Sequence, residues 1–126
     1  MKKVRLIFLS LIVLQSILTG CKSGNQTKYP EYLVTENADL GCVELNYEGI
    51  TYRPYGIIIS SKLKGKQIGI WENTPDRKIY EVKGYDNHEW ILDYLDVFME
   101  GSYTLFKSIE VTNIPNELAG YKEYDF

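Results

Sequence analysis

Apolar and polar positions divide this chain into three regimes. Residues 6–18, "LIFLSLIVLQSIL", are almost wholly apolar; residues 22–31, "KSGNQTKYPE", are polar and without period; from Tyr32 onward apolar residues mostly alternate with polar ones. Alternation is the mark of half-buried strands. "VELNYEGITYRPYG" (43–56) reads as two such runs joined at Glu48-Gly49, a hairpin turn. Leu45 and Tyr47 share one face of the first run, Ile50 and Tyr52 one face of the second. Arg53-Pro54-Tyr55-Gly56 is expected to turn the chain, because proline fixes φ and glycine accepts positive φ. "GIII" (56–59) then forms a short strand and "SSKLKG" a polar turn. "KQIGIW" and "KIYEVKG" make a second strand pair across a loop, "ENTPDR".

The stretch "DNHEWILDYLDVFME" (86–100) supports two readings. Asp86 with Glu89 fits a helix capping box, and Trp90, Ile91, Tyr94, Leu95 and Phe98 fall on one helical face. The alternative is one helical turn at 86–89 and then a strand from Trp90, which its aromatic and β-branched residues favour by propensity. After it, "SYTLFKSI" is a strand. Near the end, Pro115 opens one helical turn through Leu118 and Gly120 stops it, and "YKEYDF" frays or adds an edge strand. The fold class expected is α+β, mainly antiparallel β: a small single sheet or partly open barrel with one or two short helical turns.

The first regime has a different meaning. Thirteen helical residues reach roughly 20 Å, short of the about 30 Å bilayer core. Preceded by Lys2, Lys3 and Arg5, the segment has the layout of a secretory signal. Its border, Leu18-Thr19-Gly20-Cys21, resembles the lipobox of bacterial lipoproteins. The resemblance covers residues 1–21. It implies cleavage before Cys21, a diacylglycerol on the Cys21 thiol and frequent acylation of the freed amine. Residues 1–20 are then a signal peptide, residues 21–31 a lipidated cysteine and flexible tether, and residues 32–126 one small β-rich domain. One acyl chain holds a protein only marginally and two hold it stably, so this anchor is sufficient. The expected location is the extracytoplasmic face of the cell membrane. As a random coil, the ten-residue tether has a mean span of roughly 15–20 Å.

Charge and cysteine content follow from that processing. Loss of the signal removes three of the fourteen basic residues and none of the seventeen acidic ones, which takes the net charge from −3 to −6. Such a balance argues against nucleic acid as a partner. With Cys21 carrying lipid, Cys42 has no intramolecular partner and reads as a small buried hydrophobe with nothing basic beside it in sequence. All eleven tyrosines lie beyond residue 28, giving a small core large rings with wet hydroxyls.

Catalytic patterns are weak. His88 is the single histidine. No G-x-S-x-G elbow presents a nucleophile, and Ser60, Ser61 and Ser108 lie in ordinary contexts. Asp86, His88 and Glu89 sit within four residues, but a local turn does not supply a tetrahedral metal site. "KGKQIG" lacks the phosphate-loop pattern; Gly65 and Gly69 read as turn and bulge residues. Lys62, Lys64 and Lys66 line one face of an extended segment and read as a solvated edge that resists strand addition.

A second resemblance covers residues 43–118. "LKGKQIG", "KIYEVKGY" and "EWI" in that order look like a group of small lipoproteins of Gram-positive bacteria, in which the tryptophan segment is a strand. That group carries no activity to transfer. "NYEGITY" is more remotely similar to domains of lantibiotic immunity lipoproteins, which bind their own bacteriocin at the membrane surface. The reading that follows is a non-enzymatic, cofactor-free surface binding module, of peptide-sequestering type or for a protein partner. The alternative is an envelope accessory protein packed on a membrane complex.

Overall fold

The structure, a computed structural model, describes residues 28–94 and 101–126. The signal segment, Cys21 and most of the tether lie outside the described residues, as do Leu95–Glu100. Described are seven strands: β1 (Glu31–Asn37), β2 (Cys42–Tyr47), β3 (Ile50–Ile58), β4 (Lys64–Trp71), β5 (Thr74–Val82), β6 (Trp90–Tyr94) and β7 (Tyr103–Ser108). One helical turn, α1 (Asn116–Ala119), follows. The strands close into a barrel in the order β1-β2-β3-β7-β6-β5-β4. Every neighbouring pair is antiparallel except the seam, where β1 meets β4 in parallel through Glu31↔Ile70 and Tyr32↔Trp71. The mainly antiparallel β architecture is therefore the one expected, and the barrel is closed rather than partly open.

The β2–β3 hairpin turns at the expected dipeptide. Glu48 and Gly49 both have positive φ, 50° and 80°, the geometry of a tight turn that matches strand twist. Leu45, Tyr47, Ile50 and Tyr52 all pack on the barrel interior. Two expected turns are corrected. Arg53–Gly56 does not turn the chain; it lies within β3, where Pro54 pairs with Phe106 and the register shifts before Gly56. Proline lacks an N–H, and a bulge is where a strand tolerates that loss. "ENTPDR" is likewise not a loop beyond its first two residues, because Trp71 already pairs with Thr74 and Asn73, at φ 55°, makes the turn.

The helical reading of 86–100 is also overturned over its described part. Trp90–Tyr94 is a strand paired on both sides. Asp86–Glu89 forms neither a capping box nor a helical turn: His88 has φ 59° and the Glu89 amide donates to Asn87 Oδ1 at 3.2 Å. The cause is burial on both faces of β6. Ile91 faces the inner core with Tyr32, Leu45, Tyr52, Ile79 and Phe106. Trp90 and Leu92 face an outer core with Tyr55, Ile58, Val82, Tyr103, Leu105 and Leu118. A strand buried on both sides loses its alternation.

The outer core exists because the C-terminal segment folds back over β3, β6 and β7. A four-residue helix has no stability of its own; α1 is held by Leu118, which is fully buried and whose burial contributes roughly 1.5–3 kcal/mol. Pro115 is the N-cap rather than the first helical residue, and its carbonyl accepts the Leu118 and Ala119 amides at 3.0 Å each. Gly120 ends the turn at φ −67°. The last residues dock instead of fraying: the Glu123 and Tyr124 amides donate to the Tyr55 carbonyl at 3.0 and 3.2 Å.

Candidate functional site at the barrel mouth

At the end of the barrel near the β1–β2 turn, β5 and β6 each send a charged side chain inward. Ile79 pairs with Asp93, so Arg77, two residues earlier on β5, shares their face. Its Nε donates to Asp93 Oδ1 at 3.2 Å and its Nη2 to Oδ2 at 2.8 Å. The Asp93 side chain is 1% exposed and that of Arg77 25%. Trp71, the last residue of β4, lies over the guanidinium with 3.4 Å from ring centroid to Cζ. Burial pushes the Asp93 carboxyl up, and the Arg77 hydrogen bonds and charge pull against it. The net rise shows desolvation winning over pairing, as buried ion pairs often do.

Above this pair opens a cavity of about 390 Å³, with Cys42, Trp71, Arg77, Phe106, Tyr124 and Phe126 among its walls. Tyr124 and Phe126 stack on one another at 5.5 Å and 9°. Ligand pockets in general combine aromatic walls with a few fixed polar groups, and this cleft has both. Beside it rises the β1–β2 hairpin. Cys42 is half-buried there, and burial, then Glu44, raises its thiol pKa against the lowering influence of Arg53. Such a thiol is not activated. Glu44 pairs with Arg53 at 2.5 Å, a contact that lowers its own pKa.

No protein-family profile, curated protein or solved structure matches the chain. The site is therefore read from its own chemistry. His88 lies at the opposite end, half exposed, with Nε2 3.2 Å from Glu81 Oε2. It lines a cavity of about 260 Å³ together with Ser108. Ser108 Oγ accepts the Glu110 amide at 3.3 Å, and no hydrogen bond joins it to His88 among the described residues. Asp86 and Glu89 are exposed on the same turn. Among the described residues no three His, Cys, Asp or Glu side chains come within reach of one metal ion, and no helix is long and apolar enough to cross a membrane.

Gly65 and Gly69 flank register shifts in β4. Gly69 is also required by contact, since a Cβ there would lie 2.5 Å from the Tyr32 ring. Lys62 and Lys66 are exposed, and the Lys64 ammonium sits 5.0 Å from the centre of the Tyr80 ring. None of these reaches the mouth. The residues that form it, Trp71, Arg77 and Asp93, escaped the sequence reading. Their signal was an acid inside the apolar run "WILDY" and an arginine in a segment read as loop.

Proposed function

We propose that this protein is a non-enzymatic binding module, held at the outer face of the cell membrane by lipid on Cys21, and that the barrel mouth is its contact with a cationic peptide. The observation that carries this reading is the aromatic cleft of Trp71, Phe106, Tyr124 and Phe126 around the Arg77–Asp93 pair. Charge supports the choice of ligand. From Glu31 to Tyr47 the β1–β2 hairpin has four carboxylates, one of which, Glu44, pairs with Arg53, and no Lys, Arg or His, so the hairpin beside the cleft attracts a positive partner over distances near the Debye length, about 10 Å at 0.1 M salt. Anchoring rests on the signal-like layout of residues 1–18 and the lipobox-like tetrad that follows.

Two measurements test the reading. The full chain fractionates with membranes, and Cys21→Ser moves it to the soluble fraction; unchanged fractionation defeats the anchor. A ten-residue peptide alternating lysine and valine shifts tryptophan fluorescence, whereas its glutamate-for-lysine counterpart does not. The response belongs to Trp71, because Trp90 is 1% exposed in the outer core, and Trp71→Phe removes it. Equal responses to both peptides, or none to either, would refute the proposed ligand.

A further inference from the structure

The barrel is closed by a short seam, and this leaves part of β1 without a partner. β1 pairs with β2 over Leu33–Asn37, but with β4 only at Glu31 and Tyr32. The parity of its backbone groups is fixed by two contacts. The Tyr32 carbonyl accepts the Glu72 amide at 2.9 Å, and the Val34 amide faces the Glu72 carboxylate at 3.5 Å. Both point away from β2. Successive strand residues direct their N–H and C=O to opposite sides, so those of Glu36 point the same way. β4 ends at Trp71 and its turn is complete by Thr74. Hence the Val34 carbonyl and both Glu36 backbone groups have no strand beside them, and the outward Val34 amide meets only a side-chain acceptor. Thr35 and Glu36 are exposed.

Such an edge is a template for an added strand. Two of the usual defences, lysine and proline, are absent. Lysines that discourage pairing stand on β4, and β1 has neither lysine nor proline. The Glu72 carboxylate already occupies the place of an incoming peptide carbonyl. Charge selects the occupant: Glu36, Asp39 and Glu72 flank the edge, and no cation lies between Glu31 and Tyr52.

We propose that the outer edge of β1, Val34–Glu36, takes an extended cationic peptide as an added strand, its backbone pairing with Val34 and Glu36 and its basic side chains facing these carboxylates. This specifies how the ligand of the preceding section binds and rests on that reading.

Amide hydrogen exchange on the full chain, with and without the lysine–valine peptide, decides it. The Glu36 amide is expected to slow by at least about tenfold on binding, Val34 to follow as Glu72 is displaced, and Thr35, already paired with β2, to stay unchanged. Glu36→Pro removes the outward N–H and spares the β2 ladder, so it weakens binding by about tenfold or more. Glu36→Gln, which removes charge alone, weakens it less. If tryptophan fluorescence reports binding while Glu36 exchanges as in the free protein, strand addition is wrong and the mouth remains the site. If no peptide binds, both proposals fall.

Discussion

Arg77 and Asp93 hold each other inside an otherwise apolar barrel, and each makes the other tolerable. Removing one partner of a buried pair leaves an uncompensated charge, which costs about 3–5 kcal/mol. Arg77→Ala is expected to lose that amount near neutral pH by urea unfolding. The sign of its pH dependence follows from Asp93, whose carboxyl is raised by burial even with Arg77 present. The folded state therefore holds the Asp93 proton at pH values where the unfolded chain has lost it, and stability grows as pH falls through that window. Without Arg77 the rise is larger, so the cost of Arg77→Ala shrinks as pH falls from about 7 towards about 4.5. A cost that stays constant over that range would show that Asp93 is not the charged group left behind. Replacing both residues with apolar ones of similar volume is expected to be near neutral. Neither residue was legible as a site: one charge in a strand does not announce its partner sixteen residues away.

Elements were legible where one face of a strand is wet. β2 and the start of β3, up to Tyr52, alternate, and Glu48-Gly49 marks their turn, so this hairpin could be read directly, whereas the bulged remainder of β3 could not. β6 could not, because the C-terminal segment buries its second face and erases the period that separates strand from helix. The same segment explains Gly56, which looks like a turn residue and in fact makes room for it. A Cβ on Gly56 would lie 1.8 Å from the Tyr121 carbonyl oxygen, so Gly56→Ala has to displace residues 121–124 from β3. A loss of about 1–3 kcal/mol is expected, with faster proteolysis of the C-terminal segment and red-shifted emission from Trp90. Gly120→Ala is the control, because no atom beyond its chain neighbours lies within 4 Å of its added methyl and its φ of −67° suits alanine. Equal stability of the two variants would mean that the segment is not docked at Gly56.

At the scale of the whole molecule, phenols share the inner core with aliphatic side chains, and this couples the fold to alkaline pH. Tyr32 and Tyr52 are each 1% exposed in the inner core, and Tyr32 stacks on Tyr47 at 4.6 Å. Burial raises Tyr52 to about 12. Burial, then the charges of Tyr52, Tyr47 and Glu48, drives Tyr32 well above the ordinary phenol range. On the outer layer the hydrogen bond to Glu117 raises Tyr85 to about 12. For an acid raised in the folded state, the unfolded chain ionises first. Stability is then whole below about pH 10, the free phenol value, and falls as pH rises towards 12. Tyr52→Phe separates this effect from the general titration of lysines. The Tyr52 hydroxyl donates to the His88 carbonyl at 2.7 Å, so the variant loses about 0.5–1.5 kcal/mol at neutral pH and shows a shallower alkaline decline than the parent. Urea midpoints measured from about pH 8 to about pH 12 by circular dichroism give both quantities. Parallel declines in parent and variant would mean that Tyr52 ionises as readily folded as unfolded, and that the inner core admits water.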